Sequence, residues 1–161
     1  MTRLGLLSLM ICASACGSSS SGTPSTPSPA QAAISLSVLP NPAPSVACNP
    51  QCISANGTSY PFTFSATVNI QETGGVGGNV DFINVTGQHG GRTFNTVNYG
   101  ADYIVQHSGA NHIGARGTLS VAFTIDYNNG DGTRDRLEVI AIQFTDDRGN
   151  RVTATAQFNV L

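Results

Sequence analysis

Leu119-Ser120-Val121-Ala122-Phe123-Thr124-Ile125-Asp126-Tyr127 decides the fold class. Leu119, Val121, Phe123, Ile125 and Tyr127 share one parity; Ser120, Ala122, Thr124 and Asp126 share the other. Side chains of an extended chain alternate between two faces, so this period of two specifies a strand with one buried face. Asn128-Asn129-Gly130-Asp131-Gly132 follows, rich in residues that tolerate positive φ, and reads as a hairpin tip. Arg136 to Phe144 runs back, with Leu137, Val139 and Ala141 on one side and Ile140, Ile142 and Phe144 on the other. Apolar residues on both parities suit a central strand covered on both faces. Asp146 to Asn150 turns the chain again. Val152, Ala154, Ala156, Phe158 and Val160 then close it, with Thr153, Thr155, Gln157 and Asn159 outward.

The same signal extends toward the N-terminus. Phe62, Phe64, Ala66, Val68 and Ile70 alternate with Thr63, Ser65, Thr67 and Asn69. Gly74 to Gly78 makes a turn, Val80 to Thr86 a returning strand, and Gly87 to Gly91 another turn. Phe94 to Tyr99 and Tyr103 to Gln106 are weaker strand candidates at an edge. Ile34-Ser35-Leu36-Ser37-Val38 is a first strand, ended by Pro40, Pro42 and Pro44. No segment past residue 16 has helical periodicity with good helix formers. Seven to eight short strands separated by regular turns predict an all-β, antiparallel β-sandwich.

The ending Asp147-Arg148-Gly149-Asn150-Arg151-Val152-Thr153-Ala154-Thr155 resembles the last hairpin of bacterial immunoglobulin-like and fibronectin-III-like domains. Glu72-Thr73-Gly74-Gly75-Val76 is loosely similar to the same family. The resemblance implies an immunoglobulin-like sandwich over 34–161. The core Trp and inter-sheet Cys pair of antibody domains have no counterpart: there is no Trp, and Cys48 and Cys52 sit together.

The first fifteen residues have a different task. Arg3, the apolar run Leu4 to Ala13 and the small residues Ala13-Ser14-Ala15 form the three parts of a secretory signal. The run is too short to span a bilayer, which needs about 20 apolar residues. With Cys16 next, the segment resembles the lipobox of bacterial lipoproteins, departing from it in having Ala13 where Leu is usual. The resemblance implies cleavage before Cys16 and acylation of its thiol and amino group. Several acyl chains hold firmly, since each buried CH2 contributes about 0.8 kcal/mol. Gly17 rather than Asp after the cysteine implies the outer membrane. An ordinary signal peptide and a soluble secreted chain is the other reading. Residues 16–33, rich in Ser, Thr, Pro and Gly, read as a disordered tether. Its seventeen residues after Cys16 reach about 23 Å r.m.s., or about 58 Å taut.

After the signal the chain has six Arg, no Lys and nine acids, which argues against a nucleic-acid partner. In the oxidising envelope, Cys48 and Cys52 are expected to form a disulfide across Asn49-Pro50-Gln51. Three intervening residues and no helix argue against a redox pair, and no nearby ligands complete a zinc site.

The sharpest chemical candidate is a calcium loop. Counting Asn129 as position 3 of an EF-hand-like loop puts Asp131 at 5, Gly132 at 6, Asp135 at 9 and Glu138 at 12. Position 1 is then Tyr127, which is no ligand, and Asp126 falls one residue early. Asp126, Asn129, Asp131 and Asp135 are therefore only a weak calcium set, and a polar hairpin tip is the plainer reading. His89, His107 and His112 stand in turn-like segments and read as solvated. No nucleophile elbow, zinc-protease motif or phosphate-binding glycine loop occurs. An envelope hydrolase would need a histidine and a carboxylate brought together in a pocket. Tyr60, Tyr99 and Tyr103 are candidate surface aromatics.

These readings predict a non-enzymatic cell-envelope lipoprotein, anchored at Cys16, whose sandwich is structural or engages an envelope or surface protein. The alternative is a ligand-binding module for a glycan or a calcium-dependent partner.

Overall fold

The computed structural model describes residues 30–54 and 56–161, and the signal segment, Cys16 and the tether to residue 29 lie outside them. Nine strands and one helix follow in order: β1 (Ile34–Leu39), β2 (Val46–Ile53), β3 (Ser59–Glu72), β4 (Gly78–His89), β5 (Arg92–Gly100), α1 (Ala101–Ser108), β6 (His112–Ile113), β7 (Thr118–Tyr127), β8 (Arg136–Asp146) and β9 (Arg151–Val160).

The strands form two antiparallel sheets packed as a β-sandwich. In the first, the long β3 pairs with β7 along one side and, along the other, with β2 and β1 in turn. The second has the order β5-β4-β8-β9, with the two-residue β6 against the start of β4. The alternations set these faces. Phe62, Phe64, Ala66, Val68 and Ile70 are buried on β3, and Leu119, Val121, Phe123, Ile125 and Tyr127 on β7. Ile140, Ile142 and Phe144 of β8 meet them from the opposite sheet. Phe64 packs edge-on against Phe123 and Tyr127 of its own sheet and Phe158 of the other, at 5.8–6.3 Å between centroids.

One seam between the sheets is stitched by backbone. Ala43 donates to Asn159 O and accepts from Leu161 N, tying the segment after β1 to the end of β9. The other seam lies between the edges of β5 and β7, and α1 covers part of it. This helix corrects the expectation of a strand over Tyr103 to Gln106. Its Tyr, Ile and Val residues mimic a strand, and eight residues are too few to display a helical period. Ile104 is fully buried, and Gly109 at φ +82° supplies the left-handed stop that donates to Val105 O.

Three further expectations change. The turn read at Gly87 to Gly91 is confined to Gly90-Gly91, and Gly87 lies within β4. The Cys48–Cys52 bond forms as expected, but inside β2, where the register against β3 shifts between Ala47 and Cys52. β8 is central, yet its second face is only half-buried: Leu137, Val139 and Ala141 lie beside Gln88, Thr86 and Asn84 of β4.

The sandwich has two dissimilar ends. At the first, Ala30 to Ala33 enters, although these residues read as tether; Arg148 Nη1 donates to Ala30 O at 2.6 Å and Ala32 packs on the core. Glu72 organises this end. It continues the inward face of β3 and is fully buried. Its carboxylate accepts backbone N–H groups from Ala33, Gly74, Gly75 and Arg116 at 2.7–3.3 Å. Burial pushes its pKa up, but those donors, led by Arg116, outweigh it and hold the carboxyl at about 2, below the usual 4.5. The second end carries Ser54 and residues 56–58, the Gly90-Gly91 turn and the 128–135 loop.

A carboxyl with a depressed folded pKa adds stability that is full above its unfolded value and disappears as pH falls toward the folded one. Urea midpoints should therefore fall between about pH 4.5 and pH 2. Glu72→Gln should cost about 1–3 kcal/mol at neutral pH and flatten that part of the acid slope; an unchanged acid limb refutes the assignment.

Candidate functional site

The open seam leaves a cleft at the second end, between α1 and the end loops. Its volume is about 350 Å³. β5 contributes Phe94, Val97 and Tyr99; the edge of β7 contributes Thr124 to Tyr127, followed by Asn128. Ser54, Asn56 and Tyr60 come from the β2–β3 hairpin, and Arg136 from the start of β8.

Arg136 is the distinctive residue of this cleft. It shares parity with Ile140 and Ile142, so it points into the sandwich, and its side chain is 3% exposed. Its Nε donates to Glu138, which is fully buried on the same face. The guanidinium lies over the Tyr127 ring, 4.4 Å from its centroid. Room for it comes from Gly87 on the neighbouring strand, where a Cβ would stand 2.2 Å from Nη2. Glu138 Oε2 has no partner among the described residues. Burial pushes the Glu138 carboxyl upward, and the Arg136 charge opposes that only in part. Tyr127 Oη donates to Ser45 Oγ or Arg134 O, each at 2.6 Å, locking the ring beneath the guanidinium.

Tyrosines also close the seam beside the cleft. Tyr99 Oη donates to Thr124 O and Tyr103 Oη to Ala122 O, each at 3.3 Å. Both carbonyls belong to the edge of β7, so two acceptors that could have recruited another strand are taken. Tyr99, Tyr103 and His107 stack in sequence at 4.3 and 3.8 Å. Tyr99 is thus buried rather than on the surface, and burial raises its pKa. Tyr60 and Tyr103 are half-buried.

The calcium candidates do not converge. Asp126 lies on the outward side of β7 at the cleft. Asn129 is buried and uses its amide nitrogen to hold Thr133 O and Asp135 O, closing the loop. Asp131 is occupied by the Thr133 hydroxyl, the Thr133 N–H and His89. Asp135 is exposed, and Glu138 is committed to Arg136. Among the described residues no group of three His, Cys, Asp or Glu side chains could hold a metal.

Two histidines, read as solvated, have carboxylate partners. His112 Nε2 lies 3.2 Å from Asp147 on the surface. His89 Nε2 lies 2.7 Å from Asp131 and 3.2 Å from Thr133 Oγ1. A relay triad needs the acid and the nucleophile on opposite ring nitrogens. Here both face the same nitrogen, so His89 fastens the 128–135 loop to the end of β4.

Sequence reading missed Arg136 and Phe94 as site residues and placed Glu138 only as the last position of the calcium spacing. The Arg136–Glu138 pair was signalled by parity: extending the inward face of β8 backward from Ile140 reaches Glu138 and then Arg136. Phe94 gave no signal, because it follows the irregular pairing between β4 and β5.

No family model and no curated protein matches the chain. Solved structures do. A crystal structure described provisionally as the ApaA protein from Bordetella pertussis is similar over 80% of this chain and 92% of its own, with TM-score 0.55 and 17% identity. A second structural-genomics target, an X-ray structure, matches over 79% and 85%, with TM-score 0.52 and 14% identity. At these identities the likeness shows the fold alone.

Gly87→Ala should crowd the guanidinium and cost about 1–3 kcal/mol in urea unfolding; a neutral result means Arg136 has another place to sit. The Asp131 hydrogen bond raises the His89 pKa above 6.5. Its stabilisation is therefore full below pH 6.5 and lost as pH rises through the folded value. Ring titration by NMR should show the raised value, and Asp131→Asn should bring it back toward 6.5.

Proposed function

We propose that the chain is a bacterial cell-envelope lipoprotein, anchored in the outer membrane through acylated Cys16, whose sandwich is a non-enzymatic interaction module. The lipobox-like run Ala13-Ser14-Ala15-Cys16 and the Ser/Pro-rich tether support the anchor. One observation carries the interaction part: the chain enters the sandwich at the Glu72 end, and the cleft opens toward the other. A tether attached at the first end would leave the second free to meet a partner. No helix of the described residues is long and apolar enough to cross a membrane.

The cleft favours recognition over chemistry. Its charged groups are a structurally committed arginine and Asp126, with the remaining lining aromatic, aliphatic, hydroxyl and amide. Neither histidine–carboxylate pair reaches into it.

Intact-mass analysis of membrane-extracted protein should find a mature chain beginning at a triacylated Cys16. Cys16→Ser should release the protein to the soluble fraction. A chain starting elsewhere, or membrane retention of the Ser variant, overturns the anchor.

A further inference from the structure

We propose that the cleft lined by Tyr60, Phe94, Tyr99, Asp126, Asn128 and Arg136 binds a neutral saccharide of one or two rings. This deepens the interaction-module reading and rests on it. The cleft volume of about 350 Å³ falls at the small end of ligand pockets. Its walls combine aromatic rings with hydroxyl and amide groups. Sugar rings need that pairing: apolar C–H faces stack on aromatics, while hydroxyls take hydrogen bonds in the ring plane.

Arg136 supplies a fixed polar wall. Its Nε is spent on Glu138, its plane is set by Tyr127, and it lines the cleft. Its side chain is 3% exposed and Nη2 lies against Gly87, so Arg136 shapes the cleft wall, and the hydrogen bonds to a ligand fall to the hydroxyl and amide groups of the lining.

Charge narrows the ligand class. Glu138 already neutralises Arg136, and Asp126 adds a negative charge at the mouth. An acidic sugar would meet the Asp126 carboxylate and an arginine already paired with Glu138. A strongly basic ligand would meet the arginine. Strand addition along this edge of β7 is hindered because Thr124 O is held by Tyr99 and Ala122 O by Tyr103. A neutral, compact, polyhydroxylated ligand fits these conditions.

The chain has no Trp, and three of its four Tyr line the cleft, so tyrosine emission reports on occupancy. The full-length protein in detergent is titrated with cellobiose, N,N′-diacetylchitobiose and digalacturonate. A saturable response to at least one neutral disaccharide is expected, with digalacturonate weaker. Tyr60→Ala and Phe94→Ala, both at half-buried positions, should each weaken binding roughly tenfold through lost stacking. The proposal is overturned by the absence of a saturable response to both neutral sugars. Equal or tighter digalacturonate binding also overturns it, as does unchanged affinity in both variants. The anchor and the cleft fail separately. An unacylated chain that binds sugar loses only the anchor, and an acylated chain indifferent to both neutral sugars loses only the cleft assignment.

Discussion

Everything in this sandwich depends on keeping one face of each sheet dry. Phe64 sits at the centre of that constraint, touching aromatic rings from both sheets. Around it the inward positions of β3, β7 and β8 are apolar except near their ends. There the same parity that buries Ile70 also buries Glu72, and the parity that buries Ile140 also buries Glu138 and Arg136. The two ends resolve a buried carboxylate differently, and this difference gives the molecule its polarity.

At the Glu72 end, backbone N–H groups from three separated segments converge on one carboxylate. Such donors are fixed by the chain path, so they solvate the charge without needing a counter-ion, and the end is closed. At the other end a single arginine takes up Glu138, one carboxylate oxygen has no partner among the described residues, and the guanidinium lies against a cleft. Gly87 and Tyr127 make that arrangement possible, one by leaving space and the other by providing a surface. The closed end receives the chain from the tether side. The open end gathers the β2–β3, β4–β5 and β7–β8 connections.

The two seams show the same contrast. Backbone bonds between the Ala43 segment and the end of β9 seal one. The other is plugged by α1 and by two tyrosine hydroxyls that occupy carbonyls of an otherwise unpaired edge. The cleft is what remains of that seam beyond the helix. Hydrophobic burial thus accounts for the fold, and incomplete closure of one edge accounts for the candidate site.

The sequence by itself determined the class of fold, because period-two alternation in the stretches 62–70, 119–127 and 152–160 has only one physical reading. It also determined the Cys48–Cys52 pairing, since the two thiols are close in the chain. Much of the site was not legible. The helix at Ala101–Ser108 is too short to display its period, and its residues have strand propensity, so tertiary contact of Ile104 overrode local preference. Gly87 looked like a turn residue because a strand glycine has no local signature; its reason is an arginine 49 positions away in the chain. The residues of the calcium spacing are held apart because Asn129 and Asp131 close their own loop and Glu138 turns inward. Which strand edges face each other across the open seam, and so which aromatic rings meet Arg136, is long-range information. Only the tertiary structure decided it, because pairing between distant strands is set by the packing of whole faces and not by any residue's neighbours in the chain.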